Sequence, residues 1–173
     1  MGKNDGMTTI AVLVGNPQPG SRTRLVAEEV AAQLATRNGA EVLPTIELAD
    51  VAGLLFRFPA PEIDALLETV AGPDVLVVAS PTYKATYTGL LKAFLDRYGN
   101  RGLAGVTAVP VLTIGAPAHA LAVEVSLRPL LVELGASVPT RGIAFPADAV
   151  EDRARIVSEW LDAEWARLEH VLA

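Results

Sequence analysis

The chain has 173 residues, 51% of them hydrophobic, 20% charged and 5% aromatic, the proportions of a single compact domain with one sizeable core. A formal net charge of −6 gives a field that repels nucleic acid and anionic membrane surfaces, and no local basic patch offsets it. With no cysteine and only two histidines, His119 and His170, thiolate chemistry, disulfides, iron–sulfur ligation and a multi-histidine metal site are all excluded or disfavoured, so no metal is expected.

Residues 1–7 are polar, without an apolar stretch, and read as a loose tail rather than a signal peptide or membrane span; a single domain is expected over 8–173, in a reducing cytoplasm. Thr8 to Val14 is a near-continuous apolar, β-branched run, the pattern of a central parallel strand buried on both faces. Thr23 to Arg37 follows as an amphipathic helix with Val26, Val30 and Leu34 in one stripe, stopped at Asn38-Gly39.

Glu41 to Leu48 is a weaker strand interrupted by Pro44, as a sheet edge tolerates. Glu62 to Val70 is helical and closed by Gly72-Pro73, and Asp74 to Ser80 is the strongest buried strand of the chain. A helix is expected over Thr86 to Arg97 and a fourth strand over Val106 to Ile114, where Pro110 requires a bulge or an unpaired ladder position. The helix spanning Pro117 to Leu134 carries Pro129 inside it, which predicts a kink near Val125. Val138 to Phe145 is a fifth strand and Val150 to Leu172 the last helix.

Strands alternating with helices, without repeats or linkers, predict an α/β fold: a flavodoxin-like three-layer sandwich with a five-stranded parallel sheet in the order 2-1-3-4-5. In that order the chain switches direction between strands one and three, so the loops after these strands form the ligand crevice.

The first crevice loop, Gly15-Asn16-Pro17-Gln18-Pro19-Gly20-Ser21-Arg22-Thr23, opens directly into a helix. Free N–H groups, two hydroxyls and a guanidinium converge there, which suits a terminal phosphate monoester, while helix capping alone is the competing account of Ser21 and Thr23. The loop is neither a Walker A motif, since Ser21 stands at its lysine, nor a dinucleotide fingerprint, since Pro17 stands at its second glycine. The second loop, Ser80 to Gly89, concentrates Tyr83, Tyr87, Lys84 and several hydroxyls behind the best strand, and a planar ligand can meet Tyr83 there; packing at an interface is the alternative for either tyrosine. The third loop, Thr113 to His119, has small residues that let a flat ring approach the backbone, with His119 better explained as a structural hydrogen-bonder than as a catalyst.

These three segments, together with Leu127-Arg128-Pro129, resemble the NAD(P)H-dependent FMN reductase family, in particular the branch serving two-component monooxygenases such as those of alkanesulfonate metabolism. The resemblance runs from about Ile10 to Leu134, and Ser80-Pro81-Thr82-Tyr83-Lys84-Ala85-Thr86-Tyr87 is its most specific part. It implies FMN as the flavin and NADPH or NADH as co-substrate. By it, Ser21, Arg22 and Thr23 hold the FMN phosphate, with Asn16 also on the cofactor; Pro81, Thr82, Tyr83 and Lys84 line the isoalloxazine, and Gly115 and Ala116 meet its pyrimidine side. It further implies a homodimer or homotetramer, and a flavin-dependent monooxygenase as a partner. Asn16 and Gln18 depart from the Ser and Arg usual in the family's first loop, Ile114 replaces a glycine before Gly115, and Val125 stands where some relatives carry an aromatic residue.

Hydride transfer between stacked rings needs positioning more than acid–base help, so no catalytic side chain is expected. Three functions stay open at this stage: a reductase releasing reduced FMN, a reductase holding FMN tightly and acting on quinones, azo dyes or metal oxyanions, and a flavodoxin-like electron carrier. Arg22, Arg24, Arg57 and Arg101 are all conceivable contacts for the 2′-phosphate of NADPH.

Overall fold

A computed structural model describes residues 7–172, and residues 1–6 of the expected tail lie outside them. The strands are β1 (Thr9–Val14), β2 (Glu41–Val42), β3 (Ile46–Glu47), β4 (Val75–Pro81), β5 (Thr107–Ile114) and β6 (Ile143–Pro146). The α-helices are α1 (Arg22–Asn38), α2 (Pro61–Ala71), α3 (Gly89–Leu95), α4 (Arg128–Glu133) and α5 (Arg153–Leu172). All ladders are parallel, in the order β2-β1-β4-β5-β6, with β3 also on β1.

The expected second strand is therefore present as two short pieces on the same edge. Glu41 and Val42 pair with the start of β1 and Ile46 and Glu47 with its end, while Pro44, which cannot donate to a ladder, lies in the break. Counted as one interrupted strand, the sheet has the expected 2-1-3-4-5 order.

Successive side chains of a strand face opposite layers. Ile10, Val12 and Val14 of β1 join Val26, Val30 and Leu34 of α1 and Val157, Leu161 and Leu168 of α5 in one core. Ala11 and Leu13 join Ile63 of α2, Leu91 and Phe94 of α3 and Leu131 of α4 in the other. Pro110 is in register with Val78 of β4 and sits one residue before the β5–β6 ladder begins at Val111, so its missing N–H falls on the side where no partner strand is yet paired.

Several boundaries differ from the sequence expectation: the last helix begins at Arg153, not Val150, because residues 147–152 form a 3₁₀ turn, and α3 ends at Leu95, not Arg97. Helix α3 starts at Gly89, three residues late, because Tyr83 and Thr86 close a tight antiparallel turn and Thr88 caps the helix, its Oγ1 accepting from the Leu91 N–H at 3.1 Å. The segment before α4 is a 3₁₀ turn (Pro117–His119) followed by a π-turn (Val123–Leu127), in which the Arg128 N–H reaches the Val123 carbonyl and the chain accommodates Pro129. Residues 138–142 are not strand: Arg128 donates to the carbonyls of Val138 and Thr140, and the Gly142 N–H donates to Glu124 at 2.6 Å, so side chains replace the ladder there.

Candidate flavin site

At the C-terminal edge of the sheet the loops after β1, β4, β5 and β6 enclose a cavity of about 250 Å³. Its lining brings together Asn16, Ser21, Arg22, Thr23, Pro81, Thr82, Tyr83 and Gly115 from the expected site. Ala116 instead lines an adjoining pocket of about 400 Å³, mostly apolar with Asp148 at its polar side, which shares Gly115 with the cavity. Lys84 is exposed beside Tyr83, outside both linings.

The first loop is held by its own side chains. Asn16, buried, accepts from the Gln18 N–H at 2.9 Å, forming a local turn, and donates from Nδ2 to Thr23 Oγ1 at 3.2 Å. Thr23 Oγ1 in turn shares a 2.8 Å hydrogen bond with Thr113 Oγ1, so the hydroxyl ties the loop to the end of β5. Ser21 caps α1 by accepting from the Arg24 N–H at 3.3 Å, and the Leu25 N–H goes to the Ser21 carbonyl. That leaves the N–H groups of Arg22 and Thr23 at the positive end of the helix dipole, where an anion is favoured.

Charge in the loop is distributed unequally. Arg24 is saturated by carboxylates, with Nε on Glu28 at 2.8 Å and one terminal nitrogen on Glu47 at 2.9 Å, and the Glu28 bond is the main reason its pKa rises further. Arg22 has no carboxylate partner among the described residues; it donates to the Ala147 carbonyl at 3.0 Å and lines the cavity. Glu47, nearly buried, also accepts from the N–H of Gly20, whose φ of 63° favours glycine.

Beneath this, Gly15 donates to the Ala79 carbonyl at 2.7 Å and accepts from Thr88 Oγ1 at 2.5 Å. A side chain at Gly15 has no room, since a Cβ would stand 2.6 Å from the Cβ of Leu91. Ser80 Oγ accepts from the Thr88 N–H at 3.0 Å and fixes the start of the tyrosine loop.

The donor set fits a flavin mononucleotide. Thr82 Oγ1 is buried without a hydrogen-bond partner against the cavity, as expected of a group that meets a polar ligand. A Cβ at Gly115 would touch nothing within 4 Å, so that loop leaves open space beside its backbone. Gln18, which stands in place of the family's usual arginine, also lines the cavity, as do Thr113 and Ala147, which were not among the expected cofactor contacts. Thr113 carried one usable signal, a hydroxyl near the C-terminal end of a strand that is apolar from Ala108 to Leu112; Ala147 carried none.

Open parallel sheet, switch-point crevice and phosphate-suited helix start together define a flavodoxin-like α/β flavoprotein. Residues 8–149 match the NADPH-dependent FMN reductase family. A relative from Pseudomonas putida KT2440 named FMN reductase (NADPH) is 36% identical over 132 residues, covering 75% of this chain and 66% of that protein, just under two thirds of its length. A protein of the same name from Pseudomonas aeruginosa PAO1 is 35% identical over 163 residues, 89% of this chain and 84% of the relative. The apo crystal structure of an NADH:FMN oxidoreductase, EMOB, superposes with a TM-score of 0.81 at 31% identity, covering 94% of this chain and 90% of that one. The chain belongs to the NADPH-dependent FMN reductase family, and by class it is an NAD(P)H:FMN oxidoreductase.

Proposed function

We propose that the protein uses FMN as an exchangeable substrate, reducing it with NADPH or NADH and releasing it to a separate flavin-dependent monooxygenase. One observation carries this reading: Arg22 is the single cation lining the cavity among the described residues, because Gln18 is neutral and Arg24 is committed to Glu28 and Glu47. A phosphate dianion held by one exposed guanidinium, one hydroxyl and two helix N–H groups is oriented without being locked in place.

In this reading Ser21, Arg22 and the amides of Arg22 and Thr23 receive the phosphate, and Asn16 and Thr23 hold the loop in shape through Thr113. Thr82 offers its unpartnered hydroxyl to the flavin, Pro81 and Tyr83 border the ring on one side, and Gly115 and Ala116 border its pyrimidine side. When bound, FMN supplies the N5 atom that accepts hydride from the nicotinamide. The side chains orient the two rings and exclude water, and none has to carry a proton.

The same proposal includes a homo-oligomer. On α3, Leu91 and Phe94 face the core, and the large exposed apolar side chains lie on the neighbouring segment, at Leu121, Val125 and Val132. Beside them runs a groove of about 800 Å³ between α3 and α4, which includes Tyr87, Tyr98, Pro129 and Leu130. A second copy would bury this stripe.

The test is steady-state oxidation of each nicotinamide nucleotide with and without added FMN, alongside the absorbance spectrum of the purified protein. Colourless protein whose activity saturates with added FMN is the expected result. Yellow protein with near-stoichiometric FMN that survives dialysis and reduces quinones without added flavin would replace this reading with a tightly bound flavin.

A further inference from the structure

The co-substrate poses an electrostatic problem that the flavin site does not solve. NADH and NADPH carry a pyrophosphate, and NADPH a further 2′-phosphate, yet the chain carries a net charge of −6. Most of its described arginines and lysines are neutralised in ion pairs, including Arg24, Arg37, Lys92, Arg97 and Arg128. Four described cations have no carboxylate partner: Arg22, Arg57, Lys84 and Arg101. Arg57 lies on the loop before α2, and Arg101 lines the groove between α3 and α4. Only Arg22 and Lys84 belong to the loops of the flavin cavity.

Lys84 is presented in an unusual way. It and Ala85 form the two-residue tip of the turn closed by Tyr83 and Thr86, with both φ angles positive, 52° and 66°. The turn is fixed by the Tyr83 N–H on the Thr86 carbonyl at 2.9 Å and the reverse bond at 3.3 Å. Two successive non-glycine residues in the left-handed region cost free energy, which a tip serving only to reverse the chain avoids by using Asn-Gly. What the tip gains is a lysine held in solvent next to the half-exposed Tyr83, which lines the cavity.

We propose that Lys84 is the docking cation for the phosphates of the incoming nicotinamide dinucleotide, while Arg22 serves the phosphate of the flavin. Of the two cations without a carboxylate partner on the cavity's loops, the one lining the cavity thus serves the flavin and the one beside its mouth the nicotinamide nucleotide. This assignment rests on the flavin-site reading above, and it makes Lys84 a determinant of co-substrate capture rather than of flavin affinity.

The test uses the full chain with saturating FMN and two variants. Lys84→Asn removes the charge but keeps a residue at ease in the left-handed region, and Lys84→Arg restores the charge. For an exposed charge pair, Lys84→Asn should raise KM for the nicotinamide nucleotide by about three- to tenfold at low salt. The wild-type loss of kcat/KM with added salt should flatten in the same variant, and Lys84→Arg should recover both. A rise for NADH and NADPH alike identifies the pyrophosphate as the group held; a rise for NADPH alone identifies the 2′-phosphate; either supports the proposal. Unchanged KM for both nucleotides overturns it, as does an FMN Kd, measured by flavin fluorescence quenching, that weakens by the same factor as KM. Failure of the underlying flavin site reads out separately, as an FMN Kd insensitive to substitution of Ser21 and Arg22.

Discussion

Thr88 Oγ1 donates to the Gly15 carbonyl at 2.5 Å and accepts from the Leu91 N–H at 3.1 Å, so one buried hydroxyl joins the end of β1 to the start of α3. The phosphate loop and the tyrosine loop therefore share an anchor. Thr88→Val should cost about 1–3 kcal/mol of stability by leaving a buried carbonyl and a helix N–H unpaired. Gly15→Ala should cost a comparable amount, about 1–3 kcal/mol, by pressing its new methyl against Leu91. Denaturant unfolding of both variants checks these values, and a Thr88→Ser variant should retain most of the wild-type stability.

Ser21→Ala combined with Arg22→Gln should weaken FMN binding by at least about tenfold, from the loss of two contacts to a charged group at an exposed site. Thr23→Val should act differently. Its hydroxyl is spent on Asn16 and Thr113, so the substitution should lower stability by about 1–3 kcal/mol as well as loosening the loop. Fluorescence titration with FMN and urea unfolding on the same preparations separate the two effects.

Gln18→Arg should tighten FMN binding about five- to thirtyfold, the worth of roughly 1–2 kcal/mol for replacing a neutral amide with a charge-assisted donor. The variant should retain more flavin through purification than the wild type. Equal flavin content and equal Kd in the two proteins would refute this.

Glu124 provides a pH-dependent element. Its hydrogen bond from Arg128 is the main cause that holds its carboxyl below the usual carboxylate range, against a smaller opposing effect of burial, with the Gly142 N–H adding to the depression. A carboxylate depressed in the folded state stabilises above its unfolded pKa, and that stabilisation is lost as pH falls through the folded value. Glu124→Gln should therefore destabilise at neutral pH, by about 1 kcal/mol after allowing for solvent screening, and the difference should close in acid. Unfolding curves across that range measure it.

Val125→Asp should disrupt self-association without unfolding the chain, because the side chain is 69% exposed on the π-turn. Light scattering at micromolar concentration reports the change. A wild-type monomer with and without FMN would remove the basis for the oligomer.

The layered architecture was legible in the sequence because two-face burial leaves continuous apolar runs at β1, β4 and β5, and stripes at α1 and α5. Pro110 and Pro129 also announced local exceptions, and both were found near the expected positions. Residues 138–142 misled because Val138 reads as strand, whereas Arg128 and Glu124 supply the backbone's partners from a different element. The site was legible where loops concentrate glycine, hydroxyl and aromatic residues after buried strands. Its supporting bonds were not: Thr23 to Thr113 spans ninety positions and Gly20 to Glu47 twenty-seven, and neither has a local pattern.

Glu47 belongs to two structures at once, its backbone registered with Val14 at the sheet edge and its carboxylate on Gly20 and Arg24. A peripheral strand is ordinarily a tolerant place to lengthen a chain, but here that tolerance is withdrawn. The break between Val42 and Ile46 already holds one residue more than the facing stretch of β1 between Ile10 and Leu13. A further residue that pushed into β3 instead of this break would slip the pairing by one and turn Glu47 to the opposite face of the sheet. The edit would surface as a slackened phosphate loop, far along the chain from where it was made. Strand β3 is thus a register gauge for the flavin cleft, and its alignment, more than its composition, is what variation at this edge has to preserve.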